Sequence, residues 1–426
     1  MRIASKLTMA VAAALVAGSA MALPPSTVHD VNLTVAGSSA FKSTFKTELQ
    51  TICSDTVDVY TATASSGAPD MVAYSCTLNS SSAPLSLQGK KALVYYRSEG
   101  GSVYGVGPIA KNTQVMRVKV DASCTGSSPA YSCATSGWNL ASDSGSGQLE
   151  KATVQLGISD EEPAMFTGDN WPSSSSDSIF GSAPTSAQLA NISSKQSAIG
   201  QVFAVYVNKS VTGGTAATPI NLSKQTLTSI FSGNYTTWDQ VPKADGTGAV
   251  GTGDIVLCLR ETGSGTQIGA AMYFNGANCS TSGYGFAAST VASNNSTGTE
   301  TACIGNNAGA IGYASIQGTN PSNTSIVNID GVVPSKNNAA LGTYGYWYEV
   351  SFNSGAALAG TTLEKALVNY MISRFRAQST APSTASVFAL PVGSNTPSFA
   401  NALDASHPVS LATRSGNSCA LPQAQN

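Results

Sequence analysis

The chain has 426 residues, of which 42% are hydrophobic and only 10% are charged, and its formal net charge is −2. This length and apolar content allow two or three domains with a sizeable core. A nearly neutral chain without a Lys/Arg run lacks the basic patch that a nucleic-acid partner needs, so we expect no such partner.

The first residues are typical of a secretory signal peptide. Arg2 and Lys6 precede an apolar run at 7–17, and the small residues at 20–22 predict cleavage after Ala22. The apolar run is too short to span a bilayer. The residue directly after the predicted cleavage site is Leu23, not a cysteine that could carry a lipid. We therefore predict a periplasmic or secreted protein.

Eight cysteines follow the predicted signal peptide, and an even number in an exported protein indicates disulfides. Connectivity stays open at this level, but spacing favours three pairs: Cys53–Cys76, Cys124–Cys133 and Cys279–Cys303. The chain has no C-x-x-C motif and only two histidines, His29 and His407. We expect no metal, no cofactor and no His-based catalytic site.

In the first half of the chain, strands end in glycine- or serine-rich turns. Residues 31–35 alternate as a strand and lead through "GSSAF" (37–41) into a helix at 41–52 with an i, i+4, i+8 apolar face. A strand at 92–96 leads into "RSEGGSVYG" (97–105), and one at 152–156 leads into "GISDEEP" (157–163). Residues 121–147 are predicted to be an inserted loop and residues 172–195 a loop or linker.

The second half repeats the pattern. We predict strands at 201–207, 255–259 and 308–316, a helix within 220–233 capped by Asn221 or Ser223 and stopped by Gly233, and a helix from Thr361 or Thr362 to about Arg376. Strands that alternate with helices indicate α/β layers with largely parallel sheets.

The loop "RETGSGT" (260–266) has the chemistry of an oxyanion site. Glycines allow close backbone approach, hydroxyls donate hydrogen bonds, and the Arg260 guanidinium suits bidentate contact with phosphate. A helix that follows such a turn also directs its free N–H groups at the ligand. There is neither a nucleotide P-loop nor a G-x-S-x-G nucleophile elbow.

These motifs, in this order, resemble those of the periplasmic phosphate-binding proteins of ABC transporters and their secreted relatives. "GSSAF" resembles the family's first anion loop, and "LGISDEEP" (156–163) its strand ending in Gly-Ala-Ser-Asp. "LTSIFSGNYTTWDQV" (227–241) resembles its Ile-Phe-x-Gly and Trp-Asp stretch. "RETGSGTQ" (260–267) is similar to its Arg-Ser-Asp-Gly-Ser-Gly-Thr loop, and "AGAIGYASI" (308–316) to its Gly-x-Ile-Gly-Tyr segment.

The resemblance implies a two-lobe α/β clamshell, each lobe a mostly parallel sheet flanked by helices. Lobe one would take residues 23–195, with an insertion at about 106–150. Lobe two would take 196–340, and 341–426 would return to lobe one and form the C-terminal helix and tail.

The resemblance also implies the site. Its phosphate ligands would be nine residues: Ser39, Ala40, Phe41, Ser102, Asp160, Arg260, Ser264, Gly265 and Thr266. Asp160 would accept a hydrogen bond from protonated phosphate and repel sulfate, which has no proton to donate. The implied protein is a monomeric, non-enzymatic binder of inorganic phosphate or a related oxyanion, with an ABC permease of the inner membrane as a partner.

Two departures from the family pattern bear on the ligand. The family commonly has Asp two residues after the loop arginine, as a support for the guanidinium, whereas this chain has Thr262, with Glu261 as the candidate substitute. Residues 102 and 160 are also unusually far apart because of the insertion. Two alternatives stay open: a secreted phosphoester hydrolase that uses Ser264 or Ser39, and a surface or structural protein that has lost the ligand.

Overall fold

The computed structural model of this protein describes residues 23–172, 179–212, 219–276, 285–288, 290–291, 294–316 and 318–425. The predicted signal peptide at 1–22 and Cys279 lie outside the described residues.

The α-helices in the described ranges are short except for α1, α5, α6 and α9. Their bounds are α1 (Lys42–Ile52), α2 (Gly107–Lys111), α3 (Ser186–Leu189), α4 (Lys224–Phe231), α5 (Gly265–Asn275), α6 (Thr297–Asn306), α7 (Lys336–Ala340), α8 (Ala356–Ala359), α9 (Thr362–Arg376) and α10 (Phe399–Ala402). Short 3₁₀ turns occupy Gly101–Gly105, Pro163–Met165, Gly168–Asn170 and Trp238–Gln240.

The strands are β1 (Val31–Gly37), β2 (Asp58–Thr63), β3 (Met71–Thr77), β4 (Lys91–Arg97), β5 (Val115–Val118), β6 (Thr125–Ser127), β7 (Ala130–Asn139), β8 (Ser144–Gly147), β9 (Leu149–Ala152), β10 (Leu156–Ser159), β11 (Ser194–Asn208), β12 (Asn221–Leu222), β13 (Val256–Cys258), β14 (Ala310–Ser315), β15 (Thr324–Ile326), β16 (Asn328–Ile329), β17 (Trp347–Ser354), β18 (Val387–Ala389), β19 (Ala412–Thr413) and β20 (Gln423–Ala424).

Among the described residues, fourteen strands form one mixed sheet, ordered β13-β14-β11-β17-β10-β1-β4-β3-β2-β7-β6 along its main path. The predicted parallel pairing occurs where strands carry the glycine–hydroxyl loops: β1 pairs in parallel with β4 and β10, and β13 with β14. Most other pairs are antiparallel, because hairpin excursions and the returning strand β17 fill the remaining positions. The predicted α/β architecture is confirmed.

Two large hydrophobic cores lie along this sheet. The first contains β1, β4, α1 and α9 side chains, and the second contains side chains from β14, α4 and α5. The long strand β11 belongs to both, because Ile199 packs in the first core and Phe203 in the second. Strand β17 does the same through Phe352 and Trp347. These two paired strands therefore join the cores.

Most predicted elements are present with shifted ends. The predicted helix at 41–52 is α1, and the helix ending near Arg376 is α9. The predicted cap Ser223 is the N-cap of α4, where its Oγ accepts the N–H of Thr226 at 2.9 Å. The predicted strand at 152–156 is wrong, because β9 ends at Ala152 and β10 starts at Leu156. The segment predicted as linker contains α3 and the start of β11.

The segment predicted as an inserted loop is built of strands. β5 and β9 pair as its stem, and β7 extends the main sheet by pairing in parallel with β2. Tyr131 stacks on Tyr60 with ring centroids 4.7 Å apart. Arg97 and Asp143 form an ion pair with 1% and 0% side-chain exposure, which ties the insertion to the end of β4.

Disulfides join Cys53 to Cys76 and Cys124 to Cys133, as predicted. The expected Cys279–Cys303 pair is wrong, because Cys303 is bonded to Cys258. These two half-cystines are 45 residues apart but lie on β13 and α6, which pack together. In the described ranges, no helix combines the length and apolar character needed to cross a membrane.

Candidate ligand-binding site

Four loops meet between the two cores, each at the carboxyl end of a strand. β1 leads to Ser38, β4 to the turn at 100–102, β10 to Asp160 and β13 to the loop at 260–266. The first three strands are parallel neighbours, so their ends open at one edge of the sheet, where α/β proteins bind ligands. The fourth loop comes from the second core and touches them directly: the Val103 N–H donates to the Gly263 carbonyl at 2.9 Å.

Asp160 lies at the centre of this meeting point, and only 2% of it is exposed. One carboxylate oxygen accepts a hydrogen bond from the Ser38 hydroxyl, and the other accepts from Thr266 Oγ1 at 3.1 Å. The Asp160 N–H donates to Ser102 Oγ at 3.2 Å. Burial raises the pKa of Asp160 above its usual value, against the opposing effect of these donors and Arg260. A buried acid thus joins loops from both cores.

Two neighbouring serines of the first loop have different roles. The buried Ser38 donates to Asp160, and its Oγ accepts the Phe41 N–H at 3.1 Å. The Ser39 hydroxyl is directed at α6 instead, where it accepts the Thr297 N–H at 3.0 Å and lies 3.1 Å from Thr297 Oγ1. Ser38, absent from the sequence-based prediction, is therefore the serine of this loop that contacts the acid.

Ala40 and Phe41, the other predicted residues of this loop, are buried. The Ala40 carbonyl accepts a hydrogen bond from Gln201 Nε2 at 3.1 Å. The Phe41 ring packs in the first core, with its centroid 5.6 Å from that of Phe352 and 5.3 Å from that of Phe375. These contacts anchor the loop at the start of α1.

The beginning of α5 faces the turn that carries Ser102. Ser264 is the N-cap of α5, because its Oγ accepts the Gln267 N–H at 3.3 Å. A Cβ at Gly265 would lie 2.7 Å from Ser102 Oγ and 2.8 Å from the Asp160 Cβ. Only glycine therefore allows the helix N-terminus, which favours negative charge, to come this close to the acid.

A buried side-chain nitrogen of Arg260 makes no hydrogen bond in the described part of the chain. Its Nε donates to the Asn294 carbonyl at 3.0 Å and lies 3.7 Å from Glu300 Oε2. The Nη2 atom is buried without a hydrogen bond, and a Cβ at Gly101 would lie 3.3 Å from it. Leaving a buried donor unpaired is costly. Nη2 is therefore the group best placed to bind an anion.

The carboxylate nearest the arginine is on α6, whereas the sequence suggested Glu261 in the loop itself. Glu300 of α6 stands beside Arg260, and its Oε1 accepts the Tyr313 N–H at 3.1 Å. The pKa of Glu300 is raised to about 8, because the effect of burial exceeds the opposing effect of the Arg260 charge. No local motif marks Glu300, which is forty residues beyond Arg260 in the chain.

Neither histidine contacts these loops. His29 Nε2 lies 2.7 Å from Ser75 Oγ, and the His407 N–H donates to Asp404. Within the described part of the chain, no group of three or more His, Cys, Asp or Glu side chains is arranged to hold a metal. The chemistry that this site offers is hydrogen bonding and charge: hydroxyl donors, the buried acids Asp160 and Glu300, and the buried guanidinium of Arg260.

Comparison with known proteins gave a family match and several structural neighbours. A model described as "PBP superfamily domain" matches residues 153–374, just over half of the chain. No curated protein matches the chain.

Solved structures similar to this chain include proteins from three organisms. A Clostridium perfringens protein described as a phosphate ABC transporter substrate-binding protein with bound phosphate has 12% identity and a TM-score of 0.47, over 80% of this chain and 92% of that one. An ABC-type phosphate transport receptor from Vibrio cholerae has 14% identity and a TM-score of 0.41, over 80% and 93%. A phosphate-binding protein from Stenotrophomonas maltophilia has 14% identity and a TM-score of 0.42, over 82% and 84%.

Proposed function

Because this chain belongs to the PBP superfamily, we propose that it is an exported binding protein that encloses a protonated oxyanion, foremost inorganic phosphate, between two lobes. It is a binding protein rather than an enzyme. The phosphate would be held by hydrogen bonds and charge, without a metal or covalent step. The proposed ligands are the nine residues predicted from the sequence together with Ser38.

One observation carries this proposal: a buried acid and a buried, partly unpaired guanidinium meet at the same loops. Arg260 Nη2 and the N-terminus of α5 favour an anion. Asp160 favours an anion that still carries a proton, because an ionised carboxylate can only accept a hydrogen bond. Monohydrogen and dihydrogen phosphate meet both conditions, and sulfate fails the second.

The two cores support a clamshell in which β11 and β17 are the hinge. Ser38, Ser102 and Asp160 would belong to lobe one, and Arg260 with the start of α5 to lobe two. The proposed boundaries are those of the sequence prediction: 23–195 with its insertion, 196–340, and 341–426. Hinge closure around a ligand is the usual motion of such proteins.

The location and partner are also proposals. The predicted signal peptide supports export to the periplasm or beyond, and superfamily membership supports delivery of the anion to an ABC permease. We propose a monomer. A surface protein that has lost its ligand is less well supported, because Arg260 and Asp160 are still buried together at the meeting of the loops.

Calorimetric titration of the mature protein, first stripped of bound anion, tests the proposal. We expect phosphate to bind and sulfate to give no heat at neutral pH. Arg260→Ala should abolish phosphate binding while leaving the far-UV circular dichroism unchanged. Absence of heat with phosphate, or equal binding of sulfate, would contradict the proposed ligand.

A further inference from the structure

Three residues of α6, spaced by three, connect this helix to other elements. Thr297 contacts Ser39 of the first loop, Glu300 lies beside Arg260, and Cys303 is bonded to Cys258. Residues three apart lie close together on a helix surface. One face of α6 therefore touches the loop from the first core, the anion-binding arginine and the strand that precedes this arginine.

We propose that Glu300 is the positioning residue for Arg260, and that the Cys258–Cys303 disulfide holds Glu300 in place. This inference rests on the proposed function, since the ligand of Arg260 would be the oxyanion. It assigns to α6 the support for the guanidinium that the family pattern has two residues after the arginine, where this chain has Thr262.

The contacts of the guanidinium favour this role. Glu300 Oε2 and the Asn294 carbonyl both face Arg260 Nε, at 3.7 and 3.0 Å, and Nη2 stays available. Both side chains are buried, at 1% and 0% exposure. Above the raised pKa of Glu300, about 8, both are charged, and each then offsets the other's desolvation. A long side chain that is already held loses less conformational entropy when the anion binds. Glu300 therefore prepares the arginine, although its own charge repels the anion.

The disulfide limits how far Arg260 and Glu300 can move apart. Cys258 is two residues before Arg260, and Cys303 is one helical turn after Glu300. The bond places the Cα atoms of the two cysteines 6.0 Å apart. Without it, α6 could shift along β13 and draw Glu300 away from the guanidinium.

Glu300→Gln tests the carboxylate in titrations above about pH 8, where Glu300 is ionised, with Glu48→Gln as the matched control. Glutamine can still accept the Tyr313 N–H but carries no charge. Glu48 is equally buried but is paired with Arg374 of α9 instead of Arg260. Both variants should lose thermal stability. Only Glu300→Gln should weaken phosphate binding, by about tenfold or more. Unchanged or tighter binding by Glu300→Gln would overturn the proposal.

A second readout does not need the ligand. In protein labelled with ¹⁵N-arginine, the Nε–H signal of Arg260 is assigned by its loss in Arg260→Lys. We expect its hydrogen exchange to become at least tenfold faster in Glu300→Gln and to stay unchanged in Glu48→Gln. If the wild type binds no oxyanion, the proposed function fails, but this signal still decides the role of Glu300. Unchanged exchange in Glu300→Gln would refute that role.

Paired cysteine variants test the disulfide. Cys258→Ala/Cys303→Ala should accelerate the same Nε–H exchange and weaken phosphate binding. Cys53→Ala/Cys76→Ala, which removes a disulfide of the first core, should change neither. If both double variants behave alike in exchange and binding, the Cys258–Cys303 bond has no specific role in positioning Glu300.

Discussion

Replacing Asp160 by asparagine should remove the discrimination between phosphate and sulfate. In the wild type, sulfate would place an acceptor oxygen against a buried carboxylate that already accepts hydrogen bonds from Ser38 and Thr266. Neither partner has a proton to share. The amide introduced by Asp160→Asn, in contrast, can donate to sulfate while its carbonyl oxygen keeps one of the two hydroxyl donors.

The magnitude follows from the burial of this side chain. A buried polar group left without a partner costs about 1–3 kcal/mol. Since about 1.4 kcal/mol corresponds to tenfold in affinity, the ratio of sulfate to phosphate dissociation constants should fall by about 10- to 100-fold. Most of this change should come from tighter sulfate binding, because phosphate can also accept a hydrogen bond from the amide.

Both constants are measured by calorimetry at one pH and one ionic strength. Asp58→Asn is the control, because Asp58 is also buried but binds the Leu23 N–H, away from the site loops. It should leave the ratio unchanged. If the ratio in Asp160→Asn stays within twofold of the wild type, the acid does not determine the choice of anion.

Sulfate binding by the wild type should also depend on pH. Burial raises the pKa of Asp160 above its usual value of 3.8. A protonated Asp160 can donate to sulfate, as the amide of the Asp160→Asn variant does. Sulfate binding by the wild type should therefore appear on acidification at a pH above 3.8, whereas sulfate binding by Asp160→Asn should change little with pH.

Three further predictions concern the insertion, a buried acid and the closeness of the loops. Asp143→Asn should leave the Arg97 guanidinium buried without its counter-charge and lower the free energy of unfolding in urea by about 3–5 kcal/mol; a loss below about 1 kcal/mol would contradict this. Burial raises the pKa of Glu48 to about 7. Between about pH 4.5 and 7 the folded state therefore holds a proton that the unfolded state has released. The contribution of Glu48 to the free energy of unfolding should fall as the pH rises through this range, by at most about 1.4 kcal/mol per pH unit. That slope should be absent in Glu48→Gln. Gly265→Ala should weaken phosphate binding by tenfold or more and lower the melting temperature, because its Cβ would clash with Ser102 and Asp160. Gly298→Ala, where a Cβ meets no atom closer than 3.8 Å, should bind normally and keep the wild-type melting temperature.

The sequence was informative wherever a feature depends on neighbours within one or two turns. The apolar spacing of α1, the extent of α9 and the Ser223 cap follow from local periodicity and capping, and the structure contains them. The anion-type loops at 260–266 and 157–163 were also recognisable, because their glycines, hydroxyls and charges are adjacent in the chain. The structure brings these loops together at Asp160.

The residues that support the site were not predictable in this way. Glu300 reaches Arg260 only because α6 packs on β13, and no spacing rule relates positions forty residues apart. For the same reason the partner of Cys303 was predicted wrongly as Cys279. The choice between Ser38 and Ser39 was equally hidden, since both follow β1 and only the backbone direction decides which hydroxyl faces Asp160.

The sequence by itself thus determined the α/β elements, the composition of the glycine–hydroxyl loops and the two disulfides that close short segments. Only the tertiary structure decided that the insertion is an ordered set of strands, that Cys258 is bonded to Cys303, and that a carboxylate from α6 stands beside the buried arginine. The physical reason is that periodicity and capping are local, whereas the partner of a buried charge or thiol is set by which elements pack together.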